Sequence, residues 1–164
     1  MPKNSHLEWK VKYEPGTLLA RGFKGKKEVL TDKVETTGRP VAVQLVPNRT
    51  TLAADGEDVI VFTVQVTDAH GLMVPVADDT ISFTLDGPGK IIGVGNGDPS
   101  CHEPDTFVSP QAKWSRSLFN GLAQIIVQST REAGEFRLTA TGQGLVTSTA
   151  TVKALPRAPR EAAP

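Results

Sequence analysis

The stretch Ile60-Val61-Phe62-Thr63-Val64-Gln65-Val66 decides the fold. Ile60, Phe62, Val64 and Val66 fall on one face of an extended chain, because successive side chains of a strand point to opposite sides. The same period of two recurs outward from it. Ile81, Phe83 and Leu85 share a face, as do Ala123, Ile125 and Val127; then come Phe136, Leu138 and Ala140, followed by Val146, Ala150 and Val152. Near the start, Leu7, Trp9, Val11 and Tyr13 alternate with Glu8, Lys10 and Lys12. No segment sustains a helical period of apolar residues, and the breaks carry Gly, Pro, Asp and Asn, the residues turns require. Short alternating strands spread over about a hundred residues predict an all-β chain built as a sandwich of two antiparallel sheets. The expected core is Phe62, Phe83, Ile125, Val127, Phe136 and Leu138.

A boundary is expected at Thr36-Thr37-Gly38-Arg39-Pro40. Residues 1–38 read as the last strands of a preceding β domain. His6 to Val34 supplies three strands, with a turn at Pro15-Gly16 and a hairpin loop at Lys24-Gly25-Lys26. Three strands in so short a span make a small sheet with little core. Residues 39–153 are long enough for a complete sandwich, and residues 154–164 read as a mobile tail or linker because no strand pattern continues there.

The 164 residues carry 18 basic and 18 acidic side chains, a net charge of zero. That balance argues against nucleic acid or an anionic membrane as a partner, which a basic excess would accompany. No apolar run approaches the roughly 20 residues of a membrane span. Met1-Pro2-Lys3-Asn4-Ser5-His6 has neither an apolar core nor a small-residue cleavage site, so no signal peptide is expected there. The single cysteine forms no internal disulfide and leaves the redox compartment, and with it the cellular location, unspecified.

Chemistry concentrates in Gly93-Val94-Gly95-Asn96-Gly97-Asp98-Pro99-Ser100-Cys101-His102-Glu103-Pro104-Asp105. Asp98, Glu103 and Asp105 offer hard oxygens of the kind calcium takes, and Cys101 and His102 offer softer ligands. Their spacing matches neither an EF-hand nor a zinc ligand pair, so no metal and no cofactor are expected. The glycines precede no helix, which excludes a dinucleotide fingerprint. The other reading is a surface corner: Asn96-Gly97 as a tight turn and Asp98 capping the backbone before Pro99. Asn96, Asp98 and Glu103 are then candidates for contact with a neighbouring domain. A retaining glycosidase needs two carboxyls about 5–5.5 Å apart. The pairs Asp78/Asp79 and Glu103/Asp105 give no reason to expect that, and no catalytic residue is assigned. Trp114, in the polar stretch Pro110 to Ser117, is the candidate sugar platform, or else the anchor of this connection on the sandwich. Trp9, in phase with Leu7, Val11 and Tyr13, is expected in core or interdomain packing.

Several separated motifs resemble, in order, a non-catalytic region of the β-galactosidases of glycoside hydrolase family two. They are Leu7-Glu8-Trp9-Lys10-Val11-Lys12-Tyr13-Glu14-Pro15-Gly16-Thr17-Leu18, Thr36-Thr37-Gly38, Thr51-Leu52-Ala53-Ala54-Asp55-Gly56, Gly93-Val94-Gly95-Asn96-Gly97-Asp98-Pro99, Phe119-Asn120-Gly121-Leu122-Ala123, Val127-Gln128-Ser129 and Ala133-Gly134. The resemblance spans His6 to Val152. It implies an immunoglobulin-like β-sandwich preceded by a short partial β-sheet, set in an enzyme whose catalytic barrel lies elsewhere. The implied function is a non-catalytic accessory segment that braces or orients that barrel, with no hydrolysis of its own. The parent is expected to hydrolyse terminal β-galactosides, in the periplasm or outside the cell. Other domains of the parent are the expected partners. A carbohydrate-binding module is the alternative reading, and an adhesion-type repeat a further one, against which the lack of tandem copies counts.

Overall fold

The computed structural model describes residues 7–107, 109 and 113–157. These contain strands and connections and no helix. The chain falls into two compact units, Met1–Thr36 and Thr37–Pro164.

The first unit contains one antiparallel hairpin. β1 (Thr17–Lys24) pairs with β2 (Lys27–Glu35) across a turn in which Gly25 takes a φ of 64°. The third strand expected over Leu7 to Tyr13 does not form, and Leu7, Trp9, Val11 and Tyr13 are all exposed. Alternation only prepares a segment for a sheet; it becomes a strand when an edge pairs its backbone. β1 and β2 pair with each other alone, and neither outer edge of the ribbon takes up the segment. Trp9 is accordingly 69 % exposed rather than packed in a core.

The second unit is a sandwich of two sheets. One sheet, in the order β3-β5-β9-β7, is formed by β3 (Ala42–Pro47), β5 (Val59–Thr67), β9 (Leu122–Ser129) and β7 (Gly89–Gly95). The other, in the order β4-β11-β10-β6-β8, is formed by β4 (Thr51–Ala54), β11 (Ser148–Pro156), β10 (Gly134–Gly142), β6 (Thr80–Asp86) and β8 (Trp114–Ser117). All pairings are antiparallel except β4 with β11. The all-β sandwich is the fold that the alternation predicts. Phe62, Phe83, Ile125, Val127, Phe136 and Leu138 are all buried, and Val43, Leu45, Ile81 and Val152 join them between the sheets.

The strand pattern runs past Lys153, where the tail was expected to start. Ala154 is buried and Leu155 and Pro156 complete β11, in register with Leu52, Ala53 and Ala54 of β4. A short parallel partner supplies the backbone hydrogen bonds that Ala-Leu-Pro, poor in strand formers, does not advertise. Residues 158–164 of the expected tail lie outside the described residues.

Two local devices fix the frame. Gly121 (φ 77°) follows Asn120 (φ 52°) in the turn into β9, and a Cβ on Gly121 would sit 2.2 Å from the Val74 carbonyl oxygen. Only glycine satisfies both the left-handed backbone and that approach. Asp68, 4 % exposed, accepts hydrogen bonds from the backbone N–H groups of Gly38 (2.7 Å), His70 (2.8 Å) and Leu72 (3.0 Å). These three bonds, the Gly38 one foremost, hold its carboxyl below the usual aspartate range.

Candidate functional site

The acidic corner grows out of β7. Gly93, Val94 and Gly95 belong to that strand rather than to the loop, with an irregularity in pairing between Ile91 and Gly93 and with Val94 buried. The loop proper starts at Asn96 and returns to β8. Gly97, with φ 76°, turns the chain. Asn96 Oδ1 accepts from the Asp98 N–H (3.1 Å), and Asn96 Nδ2 donates to the Ser117 carbonyl (2.9 Å). Asp98 Oδ1 accepts from the Ser100 hydroxyl (2.7 Å) and N–H (2.8 Å), which lower its pKa in that order. Asp98 thus points into its own turn.

The organising residue is one that the sequence reading did not single out. Arg116, on β8, is 1 % exposed and opposite Ile81 of β6. Its Nη2 donates to the carbonyls of Val94 (3.2 Å) and Pro104 (3.0 Å) and to Asp105 Oδ1 (2.5 Å). Its Nη1 reaches the Glu103 carbonyl (3.3 Å) and Cys101 Sγ (3.1 Å). The Nε lies 3.8 Å from Glu103 Oε2 and makes no hydrogen bond. Glu103 is itself bound to β8, accepting from the Ser117 hydroxyl (2.5 Å) and N–H (3.0 Å); these bonds, then the Arg116 charge, lower its pKa.

A buried guanidinium must have its donors met and its charge answered. The loop wraps around it, answering the charge and meeting the Nη donors, while Nε is left without a hydrogen bond. Glu103 and Asp105 therefore answer to a fixed internal cation, and Asp98 to its own turn. The three acids do not converge on one point: no group of three or more His, Cys, Asp or Glu suited to a metal ion occurs among the described residues. Asp78 and Asp79 stand apart from this corner, and the Asp79 carbonyl accepts from the Leu118 N–H (3.0 Å). The signal for Arg116 was present in the chain. From Ile91 to Ala112 there is no Lys or Arg beside three acids, so a cation had to come from a neighbouring strand. Arg116 also sits in phase with Trp114 and Leu118.

Trp114 pairs with Phe83 across β6 and β8 and is half-buried. Its ring meets that of Phe107 edge-on, with centroids 4.9 Å apart at 67°. An edge-to-face contact of this kind ties the ring to the loop. Pro110, Gln111 and Ala112 of the stretch before it lie outside the described residues. Between the loop and the outer surface of β7 and β9 lies an open hollow of about 610 Å³, lined among others by Ile92, Gly93, Thr106, Gln124 and Ile126.

Comparison with known proteins converges on one group. Residues 43–151 match the model of the glycoside hydrolase family 2 C-terminal domain 5, and residues 1–30 match a domain of unknown function, DUF4982. The chain is 37 % identical over 142 residues to the beta-galactosidase BoGH2A of Bacteroides ovatus, covering 87 % of this chain and 16 % of that protein. It is 30 % identical over 148 residues to a beta-glucuronidase of Formosa agariphila, covering 89 % of this chain and 14 % of the relative. The chain thus spans about one sixth of the length of these two relatives. Among solved structures, a glycosyl hydrolase family 2 member from Bacteroides cellulosilyticus superimposes with a TM-score of 0.81 at 28 % identity, over 90 % of this chain and 18 % of that one. A beta-glycosidase from Bacteroides vulgatus gives 0.77 at 33 % identity, over 89 % and 18 %.

Proposed function

Because the chain belongs to the glycoside hydrolase family 2 C-terminal domain 5 family, we propose that it serves as a non-catalytic accessory segment of a β-galactosidase-type enzyme, bracing or orienting a catalytic barrel carried elsewhere in the polypeptide. The observation that carries this reading is coverage. Nearly all of this chain aligns at 37 % identity with only 16 % of a β-galactosidase, a share too small to hold a (β/α)₈ barrel of about 250 residues. The corner chemistry agrees with it. Retaining hydrolysis needs one carboxyl held protonated and one free to attack. Glu103 is held ionised by Ser117 and Arg116, and Asp105 is spent on Arg116.

Asn96, Asp98 and Glu103 enter this reading as the residues that shape the corner, whose exposed rim offers a contact for a neighbouring domain. A direct sugar contact at Trp114 is not part of it; the half-buried ring packed on Phe107 fits an anchor of this connection on the sandwich. The more similar named relative favours a β-galactoside as the parent's substrate over a β-glucuronide.

The purified 164-residue chain is expected to turn over neither nitrophenyl β-galactoside nor nitrophenyl β-glucuronide. The enzyme carrying this segment should cleave the galactoside and lose thermal stability or kcat when the segment is deleted. Turnover by the 164-residue chain itself would overturn the accessory role. Preference of the whole enzyme for the glucuronide would reassign the substrate.

A further inference from the structure

The two sheets of the sandwich differ on their outer faces. On the five-stranded sheet the outward positions, apart from Leu155 and Ala53 at its edge, are threonines, serines and charges: Glu135 pairs with Lys153 at 3.4 Å, and Arg137 stands opposite Asp86. The four-stranded sheet carries no charge over its central outward positions. On β5 and β9 these are Val61, Thr63, Gln65, Gln124, Ile126 and Gln128; β3 adds Gln44 and Val46. Val61 lies directly opposite Ile126, and Gln65 donates to Gln44 Oε1 at 2.5 Å, so the surface is knit into one neutral layer. Charge returns at its borders, with Lys90 on β7 and the Arg49–Asp58 pair at 2.6 Å beyond β3. The hollow beside the acidic corner opens at the β7–β9 side, where Gln124 and Ile126 form part of its wall.

A centre depleted of charge, a charged rim and an adjoining concavity make up the composition of a protein-binding surface. We propose that the outer face of β3-β5-β9-β7 docks another folded domain of the same polypeptide, with a side chain of that domain entering the hollow, whose wall joins Ile92, Gln124 and Ile126 to Asp98 and Asp105. Size selects this occupant. Four strands spaced about 4.8 Å apart and paired over about seven residues give a footprint of roughly 400 Å². Contacts between domains of one chain bury about 600–1,500 Å² in total, or roughly 300–750 Å² a side. A stable association of separate chains needs about 800 Å² a side, twice what this face offers. A neutral glycan fits less well, since no aromatic ring lies on the face to carry a sugar.

The inference rests on the accessory-segment reading and names the surface through which it acts. Hydroxyl-radical footprinting read by mass spectrometry tests it on the 164-residue chain and on the full-length polypeptide. Val46, Val61 and Ile126 should be labelled about fivefold less in the full-length protein, as desolvated interface positions are. The double variant Val61→Lys/Ile126→Glu, whose opposite charges face each other across β5 and β9, should leave the melting temperature of the 164-residue chain within about 5 °C of the parent. In the full-length protein it should restore labelling at Val46. Equal labelling of the two proteins would overturn the proposal. So would protection that rises with the concentration of the 164-residue chain alone, which marks a second copy. Protection appearing only on addition of a neutral oligosaccharide would overturn it in favour of a glycan. A full-length protein without a glycosidase barrel would instead defeat the accessory reading, so the two failures are told apart.

Discussion

The hairpin of the first unit and the sandwich of the second are written in the same code and end in opposite states. In β1 and β2, Leu18, Ala20 and Gly22 stand opposite Val34, Asp32 and Leu30, so one face of the ribbon is largely apolar. The other face holds Thr17, Leu19 and Arg21 against Glu35, Lys33 and Thr31, with Lys33 and Glu35 paired at 2.6 Å. In β5 the same alternation puts Ile60, Phe62, Val64 and Val66 at complete burial. Yet Leu18, Leu30 and Val34 are 55 %, 66 % and 68 % exposed. Alternation states which side of a strand wants cover. It does not supply the cover, which here comes only where a second sheet lies within reach. An isolated two-stranded ribbon is marginal in water for the same reason.

The sharpest test of that difference is Phe62→Ala. Phe62 is fully buried between the sheets, and its loss should cost about 3–5 kcal/mol of unfolding free energy by chemical denaturation. A cost below about 1 kcal/mol would mean that the sandwich is no better packed at its centre than the ribbon. Arg116→Ala comes next, at about 2–4 kcal/mol, because it orphans the carbonyls of Val94, Glu103 and Pro104 and leaves a space in the sheet. Asp105, 77 % exposed, regains water and softens the loss. The sandwich in this view depends on one polar keystone as well as on apolar contact. A variant as stable as the parent would show that the corner rearranges at little cost.

These two sites also divide what the sequence disclosed from what it hid. All six named core residues were legible, since burial on one side imposes a period of two, although the exposed stretch from Leu7 to Tyr13 carries the same period without a strand. Four strands were not read: β3 and β7, the latter because its glycines look like loop, and β4 and β8, because four-residue strands are too short to show a period, β4 resting besides on a parallel pairing with residues about a hundred positions away. The end of β11 was hidden for the same cause. At the corner, Asp98 and Asn96 could be placed, for their bonds close over two residues. Arg116 was signalled only indirectly, by three acids with no Lys or Arg among them, because its partners lie 11 to 22 residues upstream and only folding makes them neighbours.

Asp68 probes the border between the two units from the sandwich side. Its carboxylate takes the Gly38 N–H, so it pins the start of the second unit to the β5–β6 connection. Its pKa is lowered in the folded state, so its contribution is complete above the unfolded aspartate value of about 3.9 and is lost as pH falls through the lower folded value. Asp68→Asn keeps one acceptor and should lower the melting temperature at neutral pH by about 5 °C, a modest shift on the scale for a domain of this size. It should also flatten the decline of stability between about pH 5 and pH 2. An unchanged acid limb in the thermal melts would show that other carboxylates, Glu103 and Asp58 among them, carry that slope.

The smallest expected effect bears most directly on the comparison. Leu30→Ser, on the exposed apolar face of the ribbon, should change the unfolding free energy of the 164-residue chain by less than about 0.5 kcal/mol, as surface substitutions do. In a longer polypeptide that covers this face, the same substitution should cost about 1.5–3 kcal/mol, the transfer value of a leucine taken out of water. Leu18 and Val34 lie on the same face, beyond the Ala20/Asp32 pair, so Val34→Ser beside Leu30→Ser would tell the covering of a whole side from that of a single residue. A cost above about 1 kcal/mol in the short chain would show that the ribbon already buries its apolar side there. The exposure of Leu18, Leu30 and Val34 would then not describe the chain in solution. An equally small cost in both would make the alternation of β1 and β2 a property of the hairpin alone, and the contrast with β5 one of degree.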